Sequence, residues 1–139
     1  MKKIENTTLL SVLWLFILLN IVFRDIHQMT LKSHLEMLLT GYYNGMKVTD
    51  WIMLIGAVLV EIPIAMVLFS HLLKDKWNRV ANVIAAVLFT AVLLFTPPTD
   101  MDDVFHLTIE LIAIGAIVWT AWKWPQQERP KVVSYSIPL

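Results

Sequence analysis

Four long apolar runs occupy most of the 139-residue chain and limit what it can fold into. They cover residues 8–23, 51–73, 80–96 and 104–124. A helix rises about 1.5 Å per residue, so the second and fourth runs are long enough to cross a hydrocarbon core of about 30 Å. The first and third runs are shorter, and we expect them to include flanking residues. The sequence therefore predicts an all-α protein, a four-helix transmembrane bundle.

The composition supports a membrane location. Hydrophobic residues make up 58% of the chain and charged residues 16%, and the mean hydropathy is +0.66. These values are too apolar for a small soluble domain, so the expected partner is the lipid bilayer. The chain has no cysteine, which excludes disulfides and thiolate metal sites. Its formal net charge is zero and it has no large basic patch, so we expect no nucleic-acid partner.

The basic residues predict the orientation of the helices. They concentrate before the first run, between the second and third, and after the fourth: Lys2, Lys3, Lys74, Lys76, Arg79, Lys123, Arg129 and Lys131. Such residues favour the cytoplasmic side. We therefore predict a multi-pass protein of the inner cell membrane with both termini in the cytoplasm. Residues 1–124 form one transmembrane domain in this interpretation, and residues 125–139 form a flexible cytoplasmic tail.

The long first loop, residues 24–50, has a helical pattern of its own. Ser33 and Glu36 have capping-box spacing, and leucines recur at helical intervals before Gly41. The loop therefore predicts a short amphipathic helix, which either covers the helix ends at the interface or acts as a lid over a pocket. Asp50 is the expected N-cap of the second long helix.

Two carboxylates, Glu61 and Glu110, lie inside apolar runs. Hydrocarbon solvates neither, so each must face protein, water or a partner charge. Arg24, near the end of the first run, is the expected partner of Glu110. Glu61 has no obvious cation. It either exchanges a proton or hydrogen-bonds within the bundle, for example to Asn20 or Asn82, and both interpretations remain open.

Polar residues gather at one level of the bundle. In the last helix Asp103, His106 and Glu110 are spaced three and four residues apart and therefore share one face. The end of the first helix adds several polar side chains at the same outer level. The candidate ligand or proton-site residues are Glu61, Glu110, His106, Arg24, Asp25, Asn20 and His27.

A metal site requires more than the sequence offers. His106 and Glu110 have the spacing of a helical ligand pair, and His27, Glu61 or Asp103 could complete a shell. Because only one such pair is present, we predict no metal ion and no cofactor.

Four segments carry a family resemblance. They are Phe23-Arg24-Asp25-Ile26-His27, Glu61-Ile62-Pro63-Ile64-Ala65-Met66, Asn78-Arg79-Val80-Ala81-Asn82 and Ile109-Glu110. Together they resemble an uncharacterised family of small prokaryotic four-helix membrane proteins, similar to DoxX-like proteins, over about residues 10–124. The resemblance implies the fold and location but no activity, so the catalytic residues stay unknown.

Several functions are compatible with these features. The first is binding of a small amphipathic ligand, such as a quinone or a lipid-like molecule, at the polar cluster. The second is proton-coupled transport by an oligomer that uses Glu61. The third is a membrane enzyme, such as an isomerase, with His106, Glu61 and Glu110 as acid and base, or else a purely structural subunit. The oligomeric state is left open.

Overall fold

The computed structural model describes residues 4–43, 45–96 and 98–124, and within them the chain is almost entirely helical. The helices are α1 (Asn6–Gln28), α2 (Lys32–Leu39), α3 (Asp50–Leu72), α4 (Asp75–Phe95) and α5 (Met101–Lys123), and the short strands are β1 (Tyr42–Tyr43) and β2 (Met46–Lys47). Helices α1, α3, α4 and α5 are long and apolar enough to cross a membrane. This confirms the predicted fold class.

The two short apolar runs belong to longer helices, as predicted. Helix α1 continues to Gln28, so that Arg24, Asp25 and His27 lie on the helix rather than in a loop. Helix α4 begins at Asp75, five residues before its apolar run. The predicted orientation and the choice of the inner membrane stay predictions, and the predicted tail, residues 125–139, lies outside the described residues.

The four long helices form a closed bundle. Helices α1 and α4 each pack against both α3 and α5. The buried core includes Trp14 of α1, Phe89 of α4 and Ile117 of α5. The Trp14 indole donates a 2.7 Å hydrogen bond to Asn82 Oδ1 on α4. Lipid tails are as apolar as leucine, so close packing and buried hydrogen bonds of this kind hold such a bundle together.

Both predicted helix caps are wrong. Helix α3 is capped by Thr49, whose hydroxyl accepts a bond from the Ile52 amide at 3.4 Å, and Asp50 lies in the first turn. Helix α2 follows an extended residue, and no side chain caps its first turn. Ser33 lies inside this helix because it begins one residue earlier, and Glu36 contacts Lys32 at 3.5 Å. The short helix itself is confirmed, and it ends just before Gly41 as the sequence predicts.

A small hairpin, which is not predicted from the sequence, joins α2 to α3. Strands β1 and β2 pair antiparallel, and the Val48 amide donates to the Gly41 carbonyl at 2.9 Å. Gly41 and Gly45 have φ angles of +76° and +79°, which glycine adopts without steric cost. Helix α2, this hairpin and the connection from α4 to α5 lie at one end of the bundle, which we call the α2 end.

Candidate functional site

A polar cluster lies between α1 and α5 near the α2 end. Asp103, His106 and Glu110 are all buried, on a helix whose other buried residues are all apolar. Their spacing places them on one inward face, as predicted. Each of the three has a polar contact with α1: Asp103 with Gln28, His106 with Asn20 and Glu110 with Arg24.

Arg24 and Glu110 form the deepest pair of the cluster. Arg24 Nη1 lies 3.6 Å from Glu110 Oε2, and the Glu110 side chain is 0% exposed, so the predicted partners meet. The expected bidentate pair of hydrogen bonds is not formed. Neither Glu110 oxygen has a hydrogen-bond partner among the described residues. The contact is therefore mainly Coulombic, and the buried carboxylate keeps its capacity to accept hydrogen bonds.

Asp103 ties three parts of the cluster together. The backbone amide and hydroxyl of Thr99 donate to Asp103 Oδ2 at 2.9 and 2.8 Å, and the Gln28 amide donates to Asp103 Oδ1. The Asp103 amide in turn donates to Asp100 Oδ1 at 2.8 Å, which caps α5. Asp103 thus fixes the α4–α5 connection against α1.

The histidines lie closer to the surface of the same cluster. His106 Nδ1 is 3.1 Å from Asn20 Oδ1, while His27 Nδ1 is 3.3 Å from Asp102 Oδ2. Asp25 is at the rim, 4.0 Å from Arg24. The structure therefore brings together six of the seven candidate residues. It also places one donor atom each of His27, Asp102 and His106 within 4.8 Å of one another.

Glu61 is the candidate that does not join the cluster. It is exposed on the outside of the bundle, and no hydrogen bond or ion pair to it exists among the described residues. Asn82, one of its expected partners, is bonded instead to Trp14 and Asn78. Helix α3 continues through the buried Pro63, so the proline does not end it. A proton-exchanging role of Glu61 stays a prediction.

Two adjacent cavities open onto the cluster. The smaller, of about 60 Å³, is lined by Arg24, Asp25, Gln28, Tyr43, Thr96, Pro98, Thr99, Asp103 and Leu107. The larger, of about 270 Å³, is lined by Gln28, Leu31, Ser33, His34, Met37, Tyr43, Thr99 and Asp100. Since Gln28, Tyr43 and Thr99 line both, these three residues stand between a polar chamber and a chamber under α2.

Tyr43 reaches the cluster from the hairpin. Burial raises the pKa of its hydroxyl, and the nearby carboxylates of Asp103 and Asp25 raise it further, while Arg24 acts in the opposite direction. The hydroxyl is therefore protonated at neutral pH and can donate a hydrogen bond, and Tyr43 lines both cavities.

Sequence reasoning missed four residues of the site: Gln28, Tyr43, Thr99 and Asp102. Two of them had a usable signal, because Gln28 is one turn after Arg24 and Asp102 is one turn before His106. The positions of Tyr43 and Thr99 depend on the hairpin and the α4–α5 connection, which no periodicity reveals.

Fold and site together define a small four-helix membrane protein with a polar cluster and two adjoining cavities at one end of the bundle. The chain belongs to DUF6326, a family of unknown function, whose family model matches residues 2–130. No curated protein and no solved structure matches the chain. The similarity to DoxX-like proteins and a prokaryotic origin stay predictions.

Proposed function

We propose that this protein binds a small amphipathic molecule at the α2 end, with its head group in the polar cluster and its apolar part under α2. The observation that carries the proposal is the pair of cavities that share Gln28, Tyr43 and Thr99. Leu31, just before α2, and Met37 within α2 supply apolar wall to the larger cavity. A pocket with apolar walls and a few convergent polar groups is the usual form of a small-molecule site. In this proposal α2 acts as a lid.

The donors around the smaller cavity favour a head group that accepts hydrogen bonds. The Arg24 guanidinium, the Gln28 amide and the Tyr43 hydroxyl can all donate. A quinone carbonyl and the ester oxygens of a lipid share this acceptor chemistry.

The local charge favours a neutral head group over an anionic one. Among the described residues Arg24 is the one arginine or lysine of the cluster, and it faces the carboxylates of Asp25, Asp103 and Glu110. An added phosphate or carboxylate would meet net negative charge in a poorly solvated site. A quinone or a neutral lipid ester meets no such repulsion, so a quinone-like head is the better fit.

The binding of a quinone analogue to two variants that each lack one tyrosine hydroxyl tests the proposal. Tyr43→Phe removes a donor that lines both cavities, whereas Tyr42→Phe removes the neighbouring hydroxyl, which lines neither. We expect a short-chain ubiquinone analogue to bind about 3- to 10-fold more weakly to Tyr43→Phe, since one hydrogen bond contributes about 0.5–1.5 kcal/mol. Tyr42→Phe should bind like the wild type. Titration of the purified protein in detergent gives both affinities.

Two results would contradict this proposal. Equal affinity of the analogue for both tyrosine variants would place its binding elsewhere. Preferential binding of a short-chain phosphatidylglycerol over the quinone analogue would show that an anionic head group is favoured. Native mass spectrometry of the freshly purified protein identifies any molecule that it retains from the membrane.

We infer proton-coupled transport by several copies of the chain as a second candidate, supported by one observation. Glu61 is the central residue of α3 and is exposed on the outer surface of the bundle. A carboxylate at that depth is costly in lipid. A neighbouring copy of the chain would cover it, and an oligomer would place a titratable group at the contact between copies.

A further inference from the structure

Three donor side chains converge at the surface of the α2 end, beside the proposed ligand pocket. They are His27 of α1, and Asp102 and His106 of α5. His27 Nδ1 lies 3.3 Å from Asp102 Oδ2, and His106 Nε2 lies 3.6 Å from Asp102 Oδ1. One carboxylate thus faces two imidazoles from two different helices.

These separations match a shared metal ion. Zinc binds imidazole nitrogen and carboxylate oxygen at about 2.0–2.2 Å, so two ligands of a tetrahedral ion are about 3.4 Å apart. The two measured separations, 3.3 and 3.6 Å, are close to this value, and they reach the two different oxygens of Asp102, so both oxygens face the place where the ion would lie. All three donor atoms lie within 4.8 Å of one another, so a small rotation of the more accessible His27 and Asp102 side chains toward the buried His106 completes the set.

The hydrogen bonds of Asn20 determine which nitrogen of His106 is free. Asn20 Nδ2 donates to the Phe16 carbonyl at 2.8 Å, which turns Asn20 Oδ1 toward His106 Nδ1 at 3.1 Å. A carbonyl oxygen only accepts, so Nδ1 carries the proton in this bond. In neutral His106 the lone pair is therefore on Nε2, the atom that faces Asp102. Metal-binding histidines commonly donate their second ring N–H to an oxygen in this way.

The Nε2 lone pair of His106 and the carboxylate of Asp102 repel each other unless a cation lies between them. A proton could fill this role for one histidine, but here a second imidazole approaches the other oxygen of the same carboxylate. His27 and Asp102 have side chains 57% and 41% exposed, so an ion could enter from water and keep water ligands. Two imidazoles and one carboxylate suit zinc and similar divalent ions and do not suit the oxygen-preferring Mg²⁺.

We propose that His27, Asp102 and His106 form a binding site for a divalent transition-metal ion, with zinc as the ion that best fits these donors. The sequence predicted no metal because it offered one helical pair, His106 and Glu110. In the structure Glu110 pairs with Arg24 instead. Asp102, one turn before His106, takes the second position on α5, and α1 supplies the third ligand. The proposal stands on these contacts and does not depend on the ligand pocket.

Zinc titration of the full chain, purified without a polyhistidine tag, tests the site. We expect one zinc ion per chain for the wild type, and at least tenfold weaker binding for His27→Ala and for Asp102→Asn. His71→Ala is the matched control, since His71 is an exposed histidine near the other end of α3, and it should bind zinc like the wild type. His27 is exposed, so its replacement should leave the fold intact, which thermal unfolding without metal checks.

Asn20→Ala and cobalt substitution sharpen the test. Loss of the Asn20 acceptor should weaken zinc binding by about 10- to 100-fold, as for other partners of metal-bound histidines. Cobalt(II) bound in the same site should absorb visible light, and this absorption should disappear when zinc displaces the cobalt. Equal zinc affinity of wild type and His27→Ala, or no zinc binding by the wild type, would overturn the proposal. In that case Asp102 serves only as a counter-ion for protonated histidines.

Discussion

Glu61 and Glu110 are both carboxylates within apolar helices, yet the structure places them in opposite surroundings. Glu110 is fully buried and lies 3.6 Å from Arg24, whereas Glu61 is exposed on the outside of the bundle. The difference follows from their own helices. Glu110 shares its face with His106 and Asp103, while the residues four positions before and after Glu61 are Ala57 and Ala65. Burial of a carboxylate inside the bundle is thus predicted by other polar residues at helical spacing on the same face, rather than by the apolar run that contains it.

Removal of the Arg24 charge should produce the largest loss of stability. Arg24→Met leaves Glu110 buried without a cation, and loss of one partner of a buried pair costs about 3–5 kcal/mol. Since Arg24 is partly exposed, with a side chain 17% accessible, we expect a value near the lower limit. Unfolding in detergent by heat or by sodium dodecyl sulfate measures the change.

The double variant Arg24→Met, Glu110→Leu provides the control for that experiment. It replaces both charges with apolar groups, which is often neutral or stabilising at buried pairs. We expect it to recover most of the lost stability. If the double variant is no more stable than Arg24→Met, the stability lost in the single variant does not come from leaving Glu110 without its cation.

Neutralisation of Glu110 should have an intermediate effect. Glu110→Gln keeps the shape of the side chain but removes the attraction to Arg24, which remains partly solvated. We expect a loss of about 1.5–3 kcal/mol, the range for a polar contact with a charged group. Glu61→Gln is the matched variant in the other apolar helix. Equal losses for the two variants would contradict the contrast between a buried and an exposed carboxylate.

Removal of the Glu61 carboxylate should have the smallest effect on the fold. Glu61→Leu takes a charge from the lipid-facing side of α3, so we expect no loss of thermal stability and more efficient membrane insertion. Thermal unfolding and a glycosylation-based insertion assay measure these two quantities. A loss as large as that of Glu110→Gln would show that Glu61 is covered, as in an oligomer. Proton-coupled flux in vesicles with Glu61→Gln then tests transport.

The sequence was sufficient to predict most of the helical architecture. Backbone hydrogen bonds must be satisfied within each segment that crosses a membrane, so long apolar runs indicate helices directly. Arg24 and Asp25 interrupt the apolar run without interrupting the helix, because the helix can continue wherever polar side chains reach protein or water. This is why the apolar run ends at residue 23 while helix α1 continues to Gln28.

The site was predictable only in part, for a physical reason. The spacing of Asp103, His106 and Glu110 indicates the inward face of α5. Arg24 is the long basic side chain at the same level of the first helix, which predicts its pairing with Glu110. Helix α3 is apolar on nearly all sides, so the side toward which Glu61 points has no signature in the sequence. Tyr43 enters the site through a hairpin whose geometry depends on two glycines with positive φ angles, and no hydrophobic period records such a turn.

The exposure of α3 near the α2 end has a mechanical consequence. Residues 50–58 are all exposed, whereas Pro63, Met66 and Ser70 in the second half of the helix are buried. Because little interhelical packing holds the first half, bilayer thickness rather than side-chain contact should set its tilt. The hairpin and α2 are attached to this half at Thr49. We therefore expect the height of the lid above the polar cluster to vary with the thickness of the membrane in which the protein resides.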